Sequence, residues 1–205
     1  AEKDFYLASK SPRRKALLEQ LGYRVTVIAG NAHTAGYFPG DEERLAGESP
    51  EAYVRRTART KFAEGLARRE ALGLPAGAVL AADTVVSLGD EVLGKPADAE
   101  EAKAFLRRLS GRAHLVQTTV VAGTSLEDAE ERTSTSSVVF RALSEGEIDA
   151  YVATGEPFDK AGGYGIQGLA GVFVERIDGS FTGIMGLPVR EAADVLARAG
   201  RPVFP

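Results

Sequence analysis

Residues 78–88, Ala-Val-Leu-Ala-Ala-Asp-Thr-Val-Val-Ser-Leu, form the most apolar strand pattern in the chain, and a carboxylate stands in its middle. Leu80 and Ala82 fall on one face of such a strand and Ala81 and Val85 on the other, so neither face is clearly polar. Burying Asp83 there is costly unless an opposite charge or a metal compensates. An outward-facing Asp on an edge strand is the plain alternative. The apolar neighbours on both sides favour a carboxylate at a strand's mouth that holds a divalent metal or activates water. Mg²⁺ and Mn²⁺ prefer such hard oxygen ligands, above all where substrate phosphates complete the shell.

Strand and helix patterns alternate around this run. Phe5 to Ala8 reads as a buried strand, and Ser11-Pro12 as the cap and first residue of a helix that Gly22 ends. Tyr23 to Ala29 reads as a second strand, and residues 31–47 as a loop rich in Gly, Asp and Glu. Ser49-Pro50 opens a long helix with Val54, Ala58, Phe62 and Leu66 as its core stripe, while Arg55 and Arg59 are expected on its solvated side. Gly89-Asp90-Glu91 turns the chain after the long strand, and Asp98 caps a helix through Leu109. His114 to Ala122 and Thr133 to Leu143 look like an antiparallel pair. Ser144 to Glu147 is a capping box, Val172 to Ile177 a strand, and Pro188 to Ala199 the last helix. Hairpins interrupt the alternation, so the expected fold is α/β with a mixed sheet.

Composition narrows the chemistry. With 205 residues and 44% hydrophobic content, the chain is expected to form one α/β domain over residues 1–205. It has no cysteine, which removes thiol nucleophiles, disulfides and Cys-based metal sites, and suits a cytoplasmic protein. His33 and His114 are the only histidines, so multi-His sites lack material. A net charge of −4 argues against a nucleic-acid coat, and no apolar run is long enough for a membrane span.

The first helix carries an anomaly. Lys10, Arg13 and Arg14 crowd its N-terminus, where each cation should be unfavourable by roughly 0.3–1 kcal/mol. A bound phosphate reverses that sign. A solvated basic turn is the bland reading; the two hydroxyls of Ser9 and Ser11 beside these cations make an anion site the better one.

Two phosphate-loop look-alikes fail. Gly89 to Lys95 matches the start of a Walker A loop, but Pro96 stands where Ser or Thr is required, and the segment lies in a hairpin. Gly163 to Gly168 is formally GxGxxG, yet polar residues precede it and a strand pattern follows. The segments keep some interest: Lys95 is placed to reach the pocket of Asp83, and Gln167 carries an amide among glycines, a group suited to reading base edges.

Taken together, Ser9 to Arg14, Glu48 to Val54 with Lys61, Ala82 to Thr84, Gly94 to Pro96 and Asp159 to Gly168 resemble the Maf family of nucleoside triphosphate pyrophosphatases, from about Phe5 to Gly200. The resemblance implies an elongated mixed β-sheet flanked by helices, two lobes with a central cleft, and a likeness to inosine-triphosphate pyrophosphatases. It implies cleavage between the α- and β-phosphates with a divalent metal, Mg²⁺ or Mn²⁺. By the same resemblance Asp83 is the proton acceptor, and the residue reading above makes it the candidate metal ligand as well. Arg13, Thr84 and Gln167 are substrate-determining, and Ser9, Arg14, Lys61 and Lys95 bind phosphates. The form around Gln167 resembles the dTTP and UTP subgroup. Family members usually carry acidic residues where this chain has Asn31-Ala-His33-Thr34, for which Asp41, Glu42 or Glu43 would have to substitute. The expected partner is a nucleoside triphosphate substrate, with neither nucleic acid nor membrane, and a homodimer as the resemblance suggests. A nucleotide-binding regulator of cell division with little turnover is the alternative.

Overall fold

The computed structural model describes residues 2–29 and 43–205, so positions 31–34, Asp41 and Glu42 lie outside the described residues. The first strand, β1 (Asp4–Leu7), leads into helix α1 (Pro12–Gln20), where the Ser11 hydroxyl accepts the Arg14 N–H at 3.3 Å. Strand β2 (Arg24–Val27) returns to pair in parallel with β1. Helix α2 (Pro50–Ala71) is capped by Ser49, and the expected stripe of Val54, Ala58, Phe62 and Leu66 is buried. Its Arg55 and Arg59 are not merely solvated. Both donate to Glu131, at 3.1 and 2.5 Å, and tie the helix to the sheet.

Strands β3 (Val79–Leu88) and β4 (Glu91–Leu93) form a hairpin around Gly89-Asp90, and helix α3 (Ala99–Leu109) follows its Asp98 cap. Strands β5 (Ala113–Gly123) and β6 (Glu130–Phe140) are the expected antiparallel pair. Both bonds of the Ser144–Glu147 capping box open helix α4 (Glu145–Ala153). Residues 156–173 run largely in short 3₁₀ turns before strand β7 (Val174–Asp178). Helix α5 (Phe181–Met185) is too short for apolar periodicity to reveal, and helix α6 (Val189–Arg198) closes the chain.

These strands make one seven-stranded mixed sheet in the order β2-β1-β3-β5-β6-β7, with β4 on β3. The order leaves a gap that matters. On one edge β3 pairs with β1 only at Val79 and Leu80, and with β4 only from Val86 to Leu88. Between them, residues 81–85 have no strand on that side among the described residues. Asp83 is therefore mid-strand and not at a strand's mouth, but its strand has an open flank.

The sheet's apolar packing is divided at the same level. Helices α1 and α6 cover Leu80, Ala82 and Val120 in one cluster, whereas α3, α4 and the 3₁₀ turns cover Val86 and Val116 in another. The row between them is polar: Thr84 lies opposite Thr118, and Thr118 opposite Ser134. On the reverse face α2 packs on Val79, Ala81 and Val121, and the next row out is Asp83, Thr119 and Thr133. A polar seam thus crosses both faces where β3 lies open.

The seating of α2 depends on a glycine. A Cβ at Gly65 would lie 2.7 Å from Ala8 Cβ and 3.0 Å from Val79 Cγ1, so the helix approaches the sheet more closely than alanine permits. In an isolated helix Gly→Ala gains roughly 1 kcal/mol, whereas overpacking a core costs roughly 1–3 kcal/mol. Gly65→Ala is expected to lose about 1 kcal/mol net in urea unfolding. A net gain would show that α2 has room to move outward.

Candidate active site

Asp83 is held from α2. Its Oδ1 accepts from Lys61 Nζ at 2.9 Å and its Oδ2 from the Thr57 hydroxyl. Thr57 and Lys61 stand one turn apart on the helix, so a single seating of α2 delivers both donors. Burial pushes the Asp83 carboxyl up, but the Lys61 charge, the bonds from Thr57 and Lys61, and the Arg14 charge together hold it below its ordinary range. The group is an ionised carboxylate with the field of two cations on it.

Arg14 is the hub on the other side. Its Nε donates to Gly186 O at 2.8 Å, one terminal nitrogen to Ser9 Oγ at 3.0 Å, and the other to Thr84 Oγ1 at 3.1 Å. Among the described residues three of the guanidinium's five N–H groups are used this way, which leaves two that could meet a ligand. Burial pulls the Arg14 pKa down and Arg13 adds to that, while Asp83 opposes it.

Hydrogen counting fixes the direction of the next bonds. Thr118 must donate its only hydroxyl hydrogen to Gly183 O at 2.9 Å, so in its 2.8 Å contact with Thr84 it accepts. Thr84 in turn accepts from Arg14, and the chain runs Arg14 to Thr84 to Thr118 to Gly183. The Thr84 hydrogen is spent within the protein.

The N-terminus of α1 offers less than its cations do. Ser9 Oγ accepts the Ser11 N–H at 3.3 Å, Ser11 Oγ accepts the Arg14 N–H, and Pro12 has no N–H. Both serine hydroxyls act as acceptors in these bonds, so their own hydrogens remain for an anion. Beside the helix lies a cavity of about 260 Å³ lined by Arg13, Gln167, Ala16, Leu17, Gln20 and Met185. Ser9, Arg14, Lys61, Asp83 and Thr84 therefore lie around the polar seam, with Arg13 and Gln167 together in the adjoining cavity. Lys95 is exposed at the end of β4, and among the described residues it makes no hydrogen bond to the others. Glu43 is exposed, and its backbone carbonyl accepts from Arg56.

Over residues 4–199 the chain matches the family described as Maf-like protein. It belongs to the Maf family. Curated Maf relatives named dTTP/UTP pyrophosphatase include that of Chromobacterium violaceum, 48% identical and covering 95% of this chain and 94% of its own. That of Myxococcus xanthus is 50% identical, with 96% and 93% covered. Among solved structures, the Staphylococcus aureus Ham1 protein aligns with a TM-score of 0.41 at 15% identity, over 67% of this chain and 72% of its own.

Three side chains at this candidate site were not picked out from sequence. Thr57 carried a signal, since a polar residue one turn before Lys61 interrupts the apolar side of α2. Thr118 and Met185 carried none, because their part depends on the packing of α5 over the seam. As for a metal, no group of three or more His, Cys, Asp or Glu side chains converges among the described residues. Asp83 supplies a hard oxygen donor, and Mg²⁺ commonly takes only one or two carboxylates when phosphates fill the shell. The donor set fits a metal that arrives with a polyphosphate.

His114 lies apart from this cluster and sets a pH dependence of stability. Burial lowers its imidazole from the ordinary 6.5 to about 4. Between those values the unfolded chain binds a proton that the folded one does not, so stability falls as the pH drops from 6.5 towards 4. The shift corresponds to about 3 kcal/mol, fully lost only below the folded value. Urea unfolding between pH 7 and 4 is expected to show this component in the wild type and to lack it in His114→Phe.

Proposed function

We propose that this protein is a nucleoside triphosphate pyrophosphatase that hydrolyses dTTP and UTP to the monophosphate and pyrophosphate, with Mg²⁺ or Mn²⁺. The observation that carries the reading is an ionised Asp83 at the open edge of β3, with Lys61 and Arg14 on either side of it. The names of relatives nearly half identical over almost the whole chain support the same reaction class.

In this reading the polyphosphate lies against the seam. The two unspent N–H groups of Arg14, the hydroxyl hydrogens of Ser9 and Ser11, and Lys61 bind its oxygens and offset charge developing on the leaving pyrophosphate. Lys95 reaches the same anion from the β4 end. The bound metal supplies Lewis acidity at the phosphates, with Asp83 as its protein ligand. A carboxylate held below its ordinary range is a weak proton acceptor at neutral pH. Asp83 is therefore better suited to orienting the attacking water and the metal than to removing a proton outright.

The cavity beside α1 suits the base. Uracil and thymine share an edge of carbonyl, N–H and carbonyl. The Gln167 carboxamide pairs with one carbonyl and the N–H together, although an amide can turn to suit cytosine as well. Arg13 can only donate, so it accepts a carbonyl and rejects an exocyclic amine. Ala16, Leu17 and Met185 line the same cavity with apolar surface against which the thymine methyl packs. Both bases are accepted because the polar reading does not depend on the methyl. A dTTP or UTP substrate suits a cytoplasmic protein.

Pyrophosphate release from dTTP, UTP, CTP and GTP with Mg²⁺ or Mn²⁺ tests the reading. Release is expected from dTTP and UTP, and Asp83→Asn is expected to remove it by at least about a hundredfold while the protein stays folded. Release from none of them, by folded protein that still binds dTTP, would favour a nucleotide-binding regulator. Gln167→Ala is expected to narrow the preference for dTTP over CTP; an equal fall in all rates would make Gln167 a structural residue.

A further inference from the structure

Residues 164–168, which present Gln167, lie between short 3₁₀ turns, and Gln167 is itself exposed. Its position is therefore set by whatever holds the surrounding backbone. Gly162 is pressed onto β3, where a Cβ would fall 2.8 Å from Val86 Cγ2, and its N–H donates to Gly94 O at 3.1 Å. The Gly165 N–H donates to the Tyr151 hydroxyl at 3.2 Å, and Tyr151 donates to Glu156, which also accepts the Leu169 N–H at 3.0 Å. Ile166, next to Gln167, is buried in the core, and two residues before it Tyr164 adds a polar anchor, its hydroxyl lying 2.5 Å from His114 Nε2 on β5.

That histidine is hard to explain by stability. It is 2% exposed, and among the described residues its Nδ1 has no hydrogen-bond partner. Its edge-on contacts with Phe140 and Tyr164, at 5.1 and 5.4 Å between ring centroids, are ones a phenylalanine also makes. Replacing both members of a buried polar pair by apolar groups of like shape is often close to neutral. What the imidazole adds is a directed bond that fixes the Tyr164 ring at one depth. Four residues further along the same strand stands Thr118, which orients Thr84 and Arg14. One strand thus supports both the loop of Gln167 and the hub at Arg14.

We propose that His114 is a positioning residue for base selection: through Tyr164 it sets the placement of Gln167 opposite Arg13. The proposal rests on the reading of Gln167 as a base contact. The test compares His114→Phe, Tyr164→Phe and the double variant with Gln167→Ala, by kcat and KM for dTTP and CTP and by urea unfolding. Each single variant is expected to lose stability, and the double variant to recover most of it. The double variant is nevertheless expected to show about a tenfold smaller preference for dTTP over CTP, carried by KM more than by kcat. A stable double variant with the wild-type preference overturns the proposal. If the double variant does not fold, Tyr164→Phe decides: a wild-type preference in that variant overturns it equally. If Gln167→Ala leaves the preference unchanged, the base-contact reading fails first. If Gln167→Ala narrows the preference and the His114 and Tyr164 variants do not, only the positioning role falls.

Discussion

A carboxylate in the middle of an apolar strand is the constraint on which the rest of this fold depends. Desolvating Asp83 costs several kcal/mol unless cations and donors face it. The structure meets that cost with Lys61 and Thr57 from α2 and with the field of Arg14. Removing one partner of such a group commonly costs about 3–5 kcal/mol, so the two sides are bound to each other's presence. Helix α2 must be seated close enough for Lys61 to reach, and the close approach at Gly65 allows it.

The same requirement accounts for the polar seam. Threonine is at home in strands, and its hydroxyl can be satisfied by a neighbouring threonine without opening the sheet to water. Pairs of this kind, Thr84 with Thr118 and Thr119 with Thr133, fill the rows on either face at the level of Asp83. They divide the apolar packing into clusters, and Met185 of α5 packs against both clusters on one face. A short helix that contacts both, with its Gly183 carbonyl accepting from Thr118 and the carbonyl of its C-cap Gly186 accepting from Arg14, keeps the division narrow.

Much of this was legible in sequence. Serine and proline at helix starts, the α2 stripe and the β5–β6 pair follow from local chemistry, and the structure places them within a few residues of expectation. Asp83 was conspicuous because no local pattern explains a charge there. The order of strands was not legible, and with it the open flank of β3, because pairing between distant segments leaves no trace in local periodicity. The roles of Thr118 and Met185 escaped for the same reason. Arg55 and Arg59 misled in the opposite way, since a charged helix face is usually solvated and here Glu131 of a distant strand meets it.

The direction of the bonds around Arg14 has a consequence for how a substrate would be met. Because Thr118 gives its hydrogen to Gly183, Thr84 can only offer a lone pair to Arg14, and the guanidinium plane is fixed before any ligand arrives. Its two remaining N–H groups then point in set directions, so little rotamer entropy is left to lose when an anion binds. Lys61 is different: a flexible ammonium whose bond to Asp83 can be exchanged for a phosphate oxygen. The site thus joins one rigid donor and one exchangeable donor around Asp83. A phosphate that drew Lys61 away would leave an Asp83 oxygen without that donor, so Asp83 would be the residue to hold a divalent metal arriving with the polyphosphate.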